Sequence, residues 1–230
     1  MTFDLESPED HQPIRESRSF LSEWPRKEAW IPSLIFATLA TLISVATWQW
    51  PDWKTALAAN PQMIFQEGQW YRLVTSLFVH SNLRHLLSNL LFIVPFGGLL
   101  TAYFGWWMFP VIALLLGVLT QIISLMTYPM LARLVGASGL LYVMFGLWLS
   151  LYYKAESHVP AQKRWLRILG FGLIMMVPSQ LLPHVSYRTH YIGLAIGLVG
   201  GFVYYLLKRD EFDRRNRLTA AGTGPGSRPV

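Results

Sequence analysis

The sequence predicts an all-α membrane protein built as a bundle of six transmembrane helices. Three observations lead there. Of its 230 residues 53% are hydrophobic and 14% charged, against about a quarter charged in ordinary soluble domains. Mean hydropathy is positive, +0.33. A helix needs about 20 apolar residues to cross a bilayer, and such runs recur six times, at roughly 29–50, 82–104, 106–128, 138–154, 164–183 and 188–207.

Each segment has its own justification. Residues 1–28 mix both signs of charge and hold no apolar run, so they read as a short cytoplasmic extension and not as a cleavable signal. Span one follows. The long connection 51–79 is rich in aromatic residues. Spans two, four and six carry polar residues near their starts, span four is short, and span five contains Pro178. Residues 208–230 turn charged and then Gly/Pro-rich, which predicts a helix end and a disordered cytoplasmic tail. Trp48, Trp50, Trp53, Trp70, Trp106, Trp107, Tyr152 and Tyr153 gather at span ends, where amphipathic rings favour the headgroup zone.

Lysine and arginine set the orientation. Four lie in the N-terminal extension (Arg15, Arg18, Arg26, Lys27), four between spans four and five (Lys154, Lys163, Arg164, Arg167), and six in the C-terminal segment, so 14 of the 19 share one side. The positive-inside rule makes that side cytoplasmic, with both termini on it. The same rule accounts for the net charge of +6 without a nucleic-acid partner. The absence of cysteine excludes disulfides, thiolate catalysis and Cys-type zinc sites.

Spans two, four and six all begin on the outer side. Their polar residues, His85 and Asn89, Ser138, and His190, therefore share one depth although they are far apart in sequence. Each has an ordinary structural reading: Ser138 as an N-cap, Asn89 as a hydrogen-bonding link between helices, the histidines as core or interface residues. Four polar groups at one level of a bilayer are costly unless they meet. A serine beside an imidazole is the minimal nucleophile and base. No Asp or Glu lies within a span, so the expectation is a Ser138–His190 dyad with no carboxylate. The imidazole is then held by packing or by a hydroxyl such as that of Tyr142. His85 and Asn89, four residues apart, share a helix face. With the Ser138 amide, they are expected to form an oxyanion hole. Gly136 and Gly139 flank the serine and let backbone approach a substrate. Gly193 and Gly197 form a small-residue ridge on the His190 side of span six, expected to pack on span four and so bring His190 within reach of Ser138; a ridge for a second chain is the alternative. No metalloprotease HExxH, no membrane aspartate pair and no transporter-like repeat is present.

Three segments together, "QWYRLVTSLFVHSNLRHLLSN", "GASGLLYVMFG" and "HYIGLAIG", resemble the rhomboid family of intramembrane serine proteases. They carry an H-x-x-x-N pair with His80 five residues before it, a G-x-S-G motif, and an H-x-x-G-x-x-x-G motif. The resemblance covers roughly residues 30–207, the whole membrane core. It implies a six-span rhomboid-like bundle of the simple bacterial form, in the inner (cytoplasmic) membrane. It also implies Ser138 as nucleophile, His190 as general base, and His85, Asn89 and the Ser138 amide around the oxyanion. Tyr142 would stack on His190, and span five would be the lateral gate for transmembrane protein substrates. No cofactor or metal is implied. The family's Trp/Arg element in the first connection reads Trp70–Tyr71–Arg72 here, leaving open which aromatic fills the role. Thr189 and Ser88 stand where the family more often has apolar residues. The competing expectation is a catalytically silent member of the same fold that binds or dislocates membrane proteins.

Overall fold

The computed structural model describes residues 19–180 and 186–220. Residues 1–18, most of the expected N-terminal extension, lie outside them, as do the expected end of span five and the chain past 220.

The described residues are helical almost throughout. Helix α1, Ile31–Gln49, is span one, led in by a 3-10 turn at Lys27–Trp30. The first connection holds three short helices, α2 (Pro51–Leu57), α3 (Pro61–Phe65) and α4 (Arg72–Thr75). Span two is α5, Leu83–Phe104, capped by the Asn82 side chain, which accepts from the His85 amide. In span three the regular helix α6 covers only Ala113–Leu125. The preceding Trp107–Ile112 winds irregularly, with Phe109 at φ −133 and ψ 127 beside Pro110, because a residue before proline is driven out of the helical region. Spans four, five and six are α7 (Ser138–Ala155), α8 (Ala161–Gln180) and α9 (Tyr187–Leu207). Lys27–Gln49, Leu83–Phe104, Trp107–Leu125 and Tyr187–Leu207 are long and apolar enough, by length and composition, to cross a membrane. Helix α7, at 18 residues and ~1.5 Å rise each, has a similar reach but is enclosed by protein, with Leu140, Val143, Met144, Leu147 and Leu151 fully buried.

The segment 208–220 corrects the sequence expectation. In place of a disordered tail it forms α10, Arg209–Ala220. Its charge density hid an anchor: Phe212 is buried and stacks on Phe104 with ring centres 5.7 Å apart, while Phe20 meets it edge-on at 5.5 Å. Arg215, one turn on, lies 4.0 Å over the Phe20 ring and donates to the Tyr103 carbonyl. Asn216 donates to the carbonyl of Ala155 at 3.0 Å. Helix α10 thus ties the residue 19–23 segment and the ends of α5 and α7 together, at the end of the bundle opposite Ser138.

Helices α7 and α9 make the closest contact. A Cβ on Gly193 would lie 2.6 Å from the Gly139 carbonyl oxygen, one on Gly197 2.2 Å from that of Val143, and one on Gly146 2.5 Å from that of Leu194. The small-residue ridge of α9 therefore faces α7, backbone against backbone. Helix α8 is the opposite case. Trp165, Leu166, Leu169 and Leu173 are exposed, and Phe171 reaches the core by touching Phe96 and Phe145.

Gly197→Ala is expected to destabilise the folded protein by about 1–3 kcal/mol, the usual range for overpacking a tight contact. Gly170→Ala on α8, with nothing within 4 Å of the added carbon, is expected to be neutral or stabilising by up to about 1 kcal/mol. Thermal unfolding in detergent checks both: a Gly197→Ala midpoint at or above that of Gly170→Ala contradicts the packing account.

Candidate active site

The site grows out of the turn before α7. Gly136 has φ +105, a region open to glycine and strained for other residues. A side chain there would meet a second obstacle: its Cβ would lie 2.6 Å from Cε1 and 2.8 Å from Nε2 of His85. The imidazole of His85 thus lies directly on the glycine turn that delivers Ser138. The Gly136 amide donates to the Ser76 carbonyl at 3.0 Å, and the buried Ser76 hydroxyl pairs with the Gln121 side chain. The turn hangs on the first connection as well, through the paired backbones of Ala59 and Leu134 (3.0 and 2.8 Å) and the Asn60 side chain on the Ala132 carbonyl.

Ser138 is the first residue of α7 and half-buried. It does not cap the helix: the N-cap is Ala137 and no side chain caps it, so its hydroxyl is not engaged in holding the helix end. Its amide is one of the leading N–H groups without an intrahelical acceptor. One turn on, Tyr142 is buried and stacks flat on His190, ring centres 4.2 Å apart and planes 11° from parallel. The choice left open between packing and a hydroxyl falls to packing, since both ring nitrogens of His190 are buried without a hydrogen-bond partner. The Ser138–His190 hydrogen bond is accordingly not made in this structure. Catalytic hydrogen bonds are often long or unformed without substrate.

His85 is half-buried, with Nδ1 3.2 Å from the Ser81 hydroxyl. Asn89 is buried below it and donates one amide hydrogen to the His85 carbonyl at 3.1 Å. One of its two hydrogens is therefore engaged within its own helix, and it does not link two helices through that bond. The Cβ positions of Gly139 and Gly193 are closed off by Thr189 and by the Gly139 carbonyl. In the first connection, Arg72 is buried and donates to the carbonyls of Thr55 and Ala58, with its guanidinium 5.5 Å from the Tyr71 ring. Trp70 packs on Phe65 instead.

Sequence reasoning gave His80 no role. It is fully buried and bridges three parts of the site. Its Nε2 accepts the Ala137 amide at 3.3 Å, and its Nδ1 lies 3.0 Å from the Ser44 hydroxyl of α1. Those partners fix the neutral tautomer protonated on Nδ1. Trp48 donates to the His80 carbonyl at 2.7 Å. The spacing H-x4-H-x3-N was visible in the sequence, but the partners, in span one and the serine turn, were not. Among the described residues no cluster of His, Cys, Asp or Glu could hold a metal ion.

Burial, and then the neighbouring His85, push the His80 imidazole down from 6.5 to about 3. The fold favours the neutral ring. Its contribution is therefore fully present above pH about 6.5 and is lost as pH falls toward about 3, because a proton on Nε2 displaces the Ala137 amide. The expected outcome is a wild-type melting temperature that drops more between pH 7 and 4 than that of His80→Gln. Equal drops in the two proteins contradict this.

Comparison with known proteins finds relatives of one family. The chain is 27% identical over 150 residues to YdcA of Bacillus subtilis (strain 168), covering 64% of this chain and 72% of that one. It is 29% identical over 152 residues to the rhomboid protease GluP of the same organism, covering 64% of this chain and 28% of GluP. It is 29% identical over 205 residues to rhomboid-type serine protease 2 of Gibberella zeae, covering 82% and 71%. RHOMBOID-like protein 5 of Arabidopsis thaliana matches at 26%, the chain spanning 50% of its length. A Rhomboid domain family model matches residues 67–207, the stretch that holds the end of the first connection with α4, the serine turn and all of α5 to α9, and the chain belongs to the rhomboid family.

Proposed function

We propose that the protein is an intramembrane serine endopeptidase that cleaves transmembrane proteins near the outer face of the membrane through Ser138 and His190. One observation supports this above the others: the serine that opens α7 and the imidazole stacked one turn below it, on Tyr142, belong to the two most tightly packed helices. The reading requires rotation about side-chain bonds to bring the two groups into contact. The names of relatives such as GluP and the Gibberella protein point to the same class.

The chemistry follows from the residues. His190 takes the Ser138 proton as the hydroxyl attacks the scissile carbonyl. The oxyanion that forms is met by the Ser138 amide, the His85 ring and the second amide hydrogen of Asn89. His190 then returns its proton to the leaving amine, and water, activated by the same ring, releases the acyl group. Water is absent from the bilayer core, so the reaction belongs at the polar end of the bundle. Helix α8, with one aromatic foothold on the core, is the element a substrate helix displaces to enter. The cations at the other end of the bundle, including Lys154, Arg164, Lys208 and Arg209, support cytoplasmic termini.

Ser138→Ala is expected to abolish cleavage of a membrane-spanning reporter. A fluorophosphonate probe is expected to label the wild type and not His190→Ala. His85→Ala and Asn89→Ala are each expected to lower kcat by about 10²–10³, the effect of losing one oxyanion donor. Cleavage that survives Ser138→Ala rules out the serine mechanism. A wild type that binds membrane proteins but takes no label is instead a silent member of the fold.

A further inference from the structure

In a triad a carboxylate aims the imidazole. Here no side chain does so by hydrogen bond, since both His190 nitrogens are unpartnered. The ring's position then depends on its stacking on Tyr142 and on where the first turn of α9 is held. That turn is held by a strap. The Ser186 hydroxyl caps α9, donating to Thr189 Oγ1 at 2.6 Å and accepting from the Thr189 amide at 3.4 Å. Its single proton is thereby engaged, so its bond with the Tyr128 hydroxyl has Tyr128 as donor. Arg188 runs parallel, donating to the Thr127 carbonyl at 2.6 Å with its guanidinium 5.3 Å from the Tyr128 ring. Thr189 itself is buried, and its methyl stands 2.9 Å from where a Gly139 Cβ would be. It therefore grips in two directions: its hydroxyl is on the strap, and its methyl is on the helix that begins with Ser138.

We infer that Tyr128, Ser186 and Thr189 are positioning residues that set the angle of His190 toward Ser138, doing by a hydroxyl relay from the α6–α7 connection what an orienting carboxylate does elsewhere. The inference rests on the proposed function. It gives Thr189, a departure from the commoner family pattern, a specific task. A residue without the hydroxyl fills the space beside Gly139 but leaves the Ser186 proton without its acceptor.

The test uses the full chain in detergent, with the second-order rate of fluorophosphonate labelling and kcat and KM on a membrane-spanning reporter as readouts. Thr189→Val keeps the methyl and removes the hydroxyl, Thr189→Ser does the reverse, and Tyr128→Phe removes the first donor. Thr189→Val and Tyr128→Phe are each expected to slow labelling about tenfold, the equivalent of one hydrogen bond. Their kcat should fall in step, with KM within about twofold, because the effect is on the reacting groups and not on substrate binding. Thr189→Ser should retain most of the wild-type rate, and the double variant should be no slower than the slower single one, as expected for members of one network. Labelling at the wild-type rate in Tyr128→Phe and Thr189→Val overturns the inference, even if their melting temperatures fall. So does a loss confined to KM, or Thr189→Ser as slow as Thr189→Val. Should Thr189→Val not fold, Tyr128→Phe decides alone. A wild type that takes no label removes the proposed function and this inference with it, whereas a labelled wild type with unaffected variants removes only this inference.

Discussion

The structure depends on how closely two helix backbones approach. Along α7 and α9, glycines 139, 146, 193 and 197 bring carbonyl oxygens to where side chains would otherwise begin. Between apolar helices in lipid there is little hydrophobic drive to associate, so van der Waals contact and exclusion of large side chains do the work. The effect is positional as much as energetic. A helix pair separated by ordinary side chains lies 8–10 Å apart, too far for groups on the two first turns to share a proton without reaching. With the glycines, Tyr142 and His190 stack face to face at 4.2 Å, and Ser138 opens the same face one turn above.

Around that pair the protein fixes the turn that delivers Ser138, using polar groups that would otherwise be costly to bury. Ser76, Gln121, His80 and Ser44 are all fully or nearly fully buried and each is hydrogen-bonded. They join α1, the first connection, α6 and the Gly136–Ala137 backbone. His80 suits its position because a neutral imidazole presents one donor and one acceptor on opposite sides of a flat ring. The first connection, an irregular sequence of short helices, is therefore a scaffold for the serine turn. Arg72 organises it from within by donating to its own backbone carbonyls. By contrast α8 meets the buried core through Phe171, and its other described side-chain contacts, from Trp165, Arg164 and Arg167, gather at its first turns against the end of α7.

Much of this was legible in the sequence, for a physical reason. Spanning helices must satisfy their backbone internally and be apolar for about 20 residues, so hydropathy located α1, α5, α7 and α9 to within two residues. Polar groups inside such runs are few enough to be noticed, which singled out Ser138, His190, His85 and Asn89. Gly193 and Gly197 could be read as a ridge facing span four, with a dimer ridge as the alternative, since spacing shows a surface and not what covers it; the ridge does meet α7. What was hidden depends on long-range pairing. The contacts of His80 with Ser44 and Ala137, the relay from Tyr128 through Ser186 to Thr189, and the bonds of Arg72 to the carbonyls of Thr55 and Ala58 all join residues distant in the chain. The helix at 209–220 was hidden differently. Its charges resemble those of a solvated tail, and one phenylalanine in twelve residues marks the docking face only once Phe20 and Phe104 are known to meet it.

The central claim is that glycine-mediated packing of α7 on α9 holds an alcohol and an imidazole ready to exchange a proton. A structure of the protein phosphonylated by a fluorophosphonate tests it most directly. The account predicts the adduct on Ser138, its phosphonyl oxygen within hydrogen-bond distance of the Ser138 amide, the His85 ring and the Asn89 amide, and His190 still stacked on Tyr142 with a nitrogen facing Oγ. An adduct on another residue, or one on Ser138 with the His190 ring out of reach, would contradict it.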